Sequence, residues 1–173
     1  MWRPSIHKKA TILRDAVLAA SDGVVTTFAV VAGSAGASLS TGVVIVLGFA
    51  NLLADGFSMA SGNYLGIKSE VEYEEAEGAS DKYESPPLKQ GLVTFVSFIL
   101  AGFLPLSPYV FNLEPKFEWS VTIVAVSLFV IGSLRGKFTK KGWVRSGLEM
   151  LLVGGFAAFV AYTTGELLKK YVL

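Results

Sequence analysis

The amino-acid sequence predicts an all-α integral membrane protein with five transmembrane helices, its N-terminus in the cytosol and its C-terminus outside. Three observations predict it. Hydrophobic residues make up 52% of the 173 positions and charged residues only 17%, against about 25% charged in a typical soluble domain. The charges gather in clusters and leave five mainly apolar stretches, and about 20 such residues cross a bilayer as a helix. The basic residues fall on alternate loops, which is the asymmetry that orients membrane proteins.

The first span covers about residues 11–33 and the second 41–65. Between them, "GSAGASLSTG" is small and uncharged, a tight turn between antiparallel helices. The third span, 91–111, is followed by "SPYVFNLEPKFEW", whose prolines and aromatic residues suit a membrane interface. The fourth, 119–134, is short, and the fifth covers 148–168. The chain reads as one transmembrane domain, 1–173, with a short acidic cytosolic segment at 66–90.

Loop charge sets the orientation. An N-terminus inside puts Arg3, Lys8, Lys9 and Arg14 in the cytosol, with Lys68, Lys82 and Lys89 of the second loop. Arg135, Lys137, Lys140, Lys141 and Arg145 of the fourth loop join them. Only Lys116, Lys169 and Lys170 are left outside. The basic fourth loop is thus explained as a membrane flank and not as a nucleic-acid patch. The basic N-terminus lacks a short apolar core and a small-residue cleavage site, so it reads as a retained tail.

Several chemistries are excluded. There is no cysteine, so disulfides, thiolate metal sites and Cys nucleophiles are out. The single histidine, His7, cannot build a histidine zinc centre within one chain. Neither a G-x-S-x-G elbow nor an H-E-x-x-H pair is present, which argues against a membrane enzyme.

The candidate site lies in the first two spans. Asn51, Asp55, Met59 and Asn63 are four residues apart and share one face of a helix. Glu70, Glu74 and Glu77 continue that face if the helix extends past the membrane, giving an acidic run able to concentrate cations. Beside it, Ala50, Ala54, Ser58, Gly62 and Gly66 form a small-residue ladder of the kind that lets another helix approach. In the first span, Asp22 lies about nine residues from the cytosolic end, and Asp55 lies equally deep in the second. Both are then about 14 Å into the membrane. An aspartate at a span's centre costs about 2.5–3.5 kcal/mol. No Lys or Arg is expected at that depth, so the partner is a proton, a metal cation, or the other carboxyl sharing a proton. A thioether beside carboxylates favours a first-row metal over Mg²⁺ or Ca²⁺. Each aspartate precedes a glycine, so local bonding at a helix break is the structural alternative. Glu149 and Met150 stand near the cytosolic end of the fifth span. Glu149 is either part of the cation path or the partner of Arg145, one turn earlier.

"SDGVVTTFAVVAGSAGA" followed by "GFANLLADGFSMASGNYLGIKSE" resembles the vacuolar iron transporter family, including its bacterial members. The resemblance is strong over residues 14–70 and looser over the remaining spans, including "SGLEMLLVGG". It implies a homodimer of five-helix protomers that exports cytosolic Fe²⁺, often also Mn²⁺, in exchange for protons. It further implies a path at the dimer interface lined by the first two helices. Asp22 matches the family's helix-one metal-path aspartate and Met59 its helix-two metal-path methionine. Plant members carry a glutamate where this chain has Asn51, and Asp55 supplies a carboxylate one turn away. They also carry a long helical cytosolic domain, whereas this chain has about 25 residues there, making it a bacterial-type member lacking that domain.

The expected function is therefore a proton-coupled exporter of Fe²⁺ or Mn²⁺ for metal homeostasis. The metal set is Asp22, Met59, Asp55 and Asn51, with Glu70, Glu74, Glu77 and Glu149 along the approach. No cofactor is implied, because the metal is cargo. The expected surroundings are a lipid bilayer, here a prokaryotic plasma membrane, with a second copy of the chain and no nucleic acid. The alternative is a non-transporting scaffold or assembly subunit whose buried carboxylates staple helices together.

Overall fold

The computed structural model describes residues 4–78 and 86–171, with side chains from Lys9 onward. Arg3, Lys82, the side chains of His7 and Lys8, and residues 79–85 of the acidic segment lie outside the described residues. Every regular element is helical: α1 (Pro4–Gly36), α2 (Thr41–Ala76), α3 (Pro87–Gly102), a 3₁₀ turn (Leu104–Leu106), α4 (Ser107–Val110), α5 (Lys116–Phe138) and α6 (Trp143–Tyr171). Five helical stretches are long and apolar enough to cross a membrane: Lys9–Gly36, Thr41–Ala76, Pro87–Val110, Lys116–Phe138 and Trp143–Tyr171. In hydrocarbon a helix satisfies every backbone polar group within its own segment, which is why valine- and threonine-rich stretches such as "GVVTTFAVV" are helical here.

Local chemistry explains the boundaries. The α1–α2 turn closes with the Leu39 N–H donating to the Ser34 carbonyl at 2.9 Å. Pro87 opens α3, where a missing N–H costs nothing. The third span differs from the unbroken stretch expected at 91–111, because α3 stops at Gly102 and the chain tightens into 3₁₀ geometry. Pro105 and Pro108 lack donors and clash with a continuing α-helix. The Ser120 hydroxyl of α5 donates to the Pro105 carbonyl at 2.8 Å, satisfying a group at the break. The fourth span is longer than the short segment expected, running from Lys116 to Phe138.

Helix α1 is the hub. It packs along α3 and α6 and also against α5, while α2 leans on α3 more than on α1. Val24, Phe28 and Val31 of α1 join Leu52 of α2, Phe98 of α3 and Leu128 of α5 in the core. Glycine permits a close crossing of α1 and α3. A Cβ on Gly23 would lie 2.5 Å from the Phe98 carbonyl oxygen. Helix α6 turns most of its large apolar side chains outward, including Leu152, Phe156 and Phe159.

The small-residue ladder does not do what its spacing suggested within one chain. Ala50, Ala54, Ser58, Gly62 and Gly66 are all exposed, and a Cβ on Gly62 or Gly66 would meet nothing within 4 Å. The packed stripe of α2 is instead Val44, Gly48, Leu52 and Gly56, because α3 comes against that side.

Candidate functional site

Asp15 fixes the vertical scale. The Asn63 side-chain amide of α2 donates to Asp15 Oδ2 of α1 at 3.1 Å and to Thr94 Oγ1 of α3 at 2.8 Å. Arg14 completes the set with an ion pair to Asp15 Oδ1 at 3.0 Å. Asp15 and Asn63 are therefore level. Asp22 lies seven residues further along α1 and Asp55 eight residues back along α2, which raises them by about 10 and 12 Å. The two aspartates thus stand at matching depth, and their charges are close enough to interact.

Their surroundings differ from the structural alternative. Both helices run unbroken through Asp22–Gly23 and Asp55–Gly56, so neither aspartate caps a break. Neither carboxylate has a hydrogen bond or ion pair among the described residues. The Thr26 hydroxyl bonds the Asp22 backbone carbonyl and leaves the side chain untouched. Both residues are half-buried. Gly23 matters to this geometry: it lets α3 close on one side of α1, which leaves Asp22 pointing to the other.

That other side is a groove of about 270 Å³ between α1, α5 and α6. Ser21 and Asp22 line it with Arg135, Glu149 and Met150. Here the structure corrects two expectations. A basic residue does reach this groove, and Glu149 pairs with it: Arg135 Nη2 lies 2.6 Å from Glu149 Oε2. The expected partner Arg145 makes no such bond, because the antiparallel α5–α6 hairpin brings position 135 opposite position 149. The groove also recruits Met150 as its thioether. Met59 is half-buried on α2 and packs against the core.

The remaining predicted residues separate. The buried amide nitrogen of Asn51, one turn beyond Asp55, has no hydrogen-bond partner among the described residues. Asn63 leaves the expected ligand ladder, since its amide is spent on Asp15 and Thr94. Helix α2 does extend beyond the bilayer, at about 54 Å for its 36 residues. It carries Glu70 and Glu74 on its last turns, with Glu77 at its C-cap. Among the described residues no three His, Cys, Asp or Glu side chains converge as a metal-binding group, so these glutamates stand along the helix without forming a cage. The sequence pattern does not announce the Asp15–Asn63–Thr94 network: Asp15, seven residues before Asp22, shares a helix face with it, but Thr94 carries no signal of its own.

The sequence matches the model of the VIT family over residues 13–85 and 78–166. A vacuolar iron transporter of Toxoplasma gondii is 28% identical, with 87% of this chain and 72% of that protein aligned. Vacuolar iron transporter homolog 3 of Arabidopsis thaliana is 30% identical over 95% of this chain and 86% of its own length. Homolog 4 of the same plant is 31% identical over 91% and 83%.

Proposed function

Since the chain belongs to the VIT family, we propose that it transports a divalent transition metal, Fe²⁺ or Mn²⁺, out of the cytosol in exchange for protons. Family membership makes it a transporter and not an enzyme. The observation that carries the metal path is the pair Asp22 and Asp55: two acidic side chains at one depth in the spans, with charges close enough to interact and no partner among the described residues. Such a pair is held ready for a cation that arrives and leaves. Carboxylates, an amide oxygen and a thioether together suit a first-row divalent ion.

Among the described residues of one protomer, no three carboxylates converge into a metal-binding group at this level. In our reading a second copy supplies the rest, packing on the exposed ladder of Ala50, Ala54 and Ser58 beside Asp55. The dimer would place two such pairs about one axis. Orientation follows loop charge, with the N-terminal end in the cytosol and the C-terminus outside. The membrane is a prokaryotic plasma membrane in this reading, although the relatives are named for the vacuole.

Exchange follows from competition. A carboxylate binds metal only when deprotonated, so protons and metal exclude each other at one site. A proton entering from the far side releases the ion, and its departure restores the site. Glu70, Glu74 and Glu77 would raise the cation concentration at the cytosolic approach, and the Arg135–Glu149 pair stands beside Asp22.

What speaks against the scaffold alternative is where the stapling occurs. Asp15, Asn63 and Thr94 tie α1, α2 and α3 together, while the Asp22 and Asp55 carboxylates tie nothing among the described residues.

The test is Fe²⁺ and Mn²⁺ flux in proteoliposomes with and without a pH gradient. Flux should rise when the metal-receiving side is acidic and fall as the metal-supplying side is acidified. Flux unchanged by Asp22→Ala would remove Asp22 from the path, and flux indifferent to pH on both sides would refute proton exchange.

A further inference from the structure

The turn joining α5 to α6 closes a second groove that the transport path does not use. Its volume is about 630 Å³, within the roughly 300–1,000 Å³ range of small-molecule sites. Its walls change character along the α5 axis. Phe129 and Val130 come first, then Ser133 and Leu134, then Lys137, with Lys140 and Lys141 on the turn. Positions 130, 134 and 137 share one helix face, so the sequence from apolar to basic runs straight along the wall. Trp143 of α6 forms the opposite side, edge-on to Phe129 with ring centroids 6.3 Å apart.

Two further facts mark it as a site for an amphiphilic anion. Lys137, Lys140 and Lys141 make no ion pair with any described residue, so their charge is uncommitted. The backbone fixes them together: Lys140 takes φ 55°, and the Lys141 N–H donates to the Gly136 carbonyl at 2.9 Å.

We propose that this groove binds an anionic phospholipid of the adjacent leaflet. Lys137, Lys140 and Lys141 hold its phosphate, and an acyl chain lies along Phe129, Val130 and Leu134. Basic pockets between transmembrane helices recognise anionic headgroups in this way, each Lys near the surface adding to the attraction. Trp143 fits the same level, where amphipathic rings settle at headgroup depth. The proposal is independent of the transport reading, since none of these residues touches the groove of Asp22.

The experiment uses the full chain reconstituted in nanodiscs of equal phosphatidylglycerol and phosphatidylcholine, with retained lipid read by native mass spectrometry. Wild type should retain phosphatidylglycerol over phosphatidylcholine by about ten-fold. Lys137→Gln/Lys140→Gln/Lys141→Gln should bring that ratio close to one. Lys9→Gln/Lys68→Gln/Lys89→Gln removes equal charge from the same end and should change it by less than about two-fold. Leu134→Trp fills the apolar wall without altering charge and should also lower retention. Glycerol phosphate at millimolar concentration should not displace the lipid. Equal losses in the two lysine triples would reduce the effect to diffuse surface charge and overturn the proposal. So would displacement by glycerol phosphate, or retention unaffected by Leu134→Trp.

Discussion

Asp15 and Asp22 lie two turns apart on the same helix, and the molecule treats them in opposite ways. Asp15 is 4% exposed yet fully engaged, with Arg14 on one oxygen and Asn63 on the other. Asp22 is less buried and has no partner among the described residues; the charge that acts on it is another acid, Asp55. A buried carboxylate with partners is part of the scaffold. One that is left without them inside a membrane span is costly unless something mobile completes it. The difference separates an engaged acid from an unpartnered one within about ten ångströms of one helix, and the proposed metal path assigns function to the second.

The sharpest way to break this contrast is to remove the carboxylate at each position. Asp22→Asn keeps shape and removes the titrating charge. Loss of a residue that only supports a metal ligand already costs 10–100-fold, so metal flux should fall by about 100-fold or more while the melting temperature in detergent barely moves. Asp55→Asn should behave alike. Asp15→Ala should do the reverse. It strips a buried network of its acceptor and leaves one Asn63 N–H and the Arg14 charge without their partner, which should cost about 3 kcal/mol of stability. Flux per folded molecule should remain within about three-fold of wild type, far less than the loss at Asp22. Equal flux losses at Asp15 and Asp22, at unchanged stability, would erase the distinction.

Much of this contrast was legible in the sequence. Five spans follow from apolar length, and the matched depth of Asp22 and Asp55 follows from counting residues along two helices joined by a short turn. The division of labour was not. Asp15 and Asn63 looked like members of the same polar faces as Asp22 and Asp55, and only the approach of Thr94 on α3 claims them for structure. The ladder of Ala50 to Gly66 had the right spacing for helix contact, but spacing cannot say whether the partner helix belongs to the same chain. Pairing of Glu149 with Arg135 instead of Arg145 is a property of the hairpin register. Opposite charges on the two arms of a short hairpin were the available signal.

A smaller effect should come from Gly23, which sharpens the comparison by moving Asp22 without changing it. An added methyl would meet the Phe98 carbonyl and push α3 away from α1. Gly23→Ala should cost about 1–3 kcal/mol, the range for overpacking a filled interface. Because the contact is to backbone, no side-chain rotation relieves it. The helix shift should also lower flux several-fold through misplacement of Asp22, and restoring space with Phe98→Ala should not recover it, since the clash is with the main-chain oxygen. Recovery by that second change would show that side-chain crowding, and not backbone approach, holds Asp22 in place.

The smallest effect belongs to the glutamates beyond the membrane. Glu70, Glu74 and Glu77 are carried on the last turns and cap of α2 without converging into a chelating group among the described residues. Their influence on a cation is then the long-range field of exposed charges, which salt screens over a Debye length of about 10 Å at 0.1 M. Glu70→Gln/Glu74→Gln/Glu77→Gln removes three negative charges, so it should raise the KM for metal by about two- to three-fold at low ionic strength. The maximum rate should not change, because Asp22 and Asp55 are untouched. At about 0.3 M salt the variant and wild type should converge, as screening removes the advantage the variant lacks. A KM difference that survives high salt requires direct ligation by these carboxylates. They would then join Asp22 as functional acids, and the boundary drawn here between engaged and waiting carboxylates would have to extend past the membrane surface.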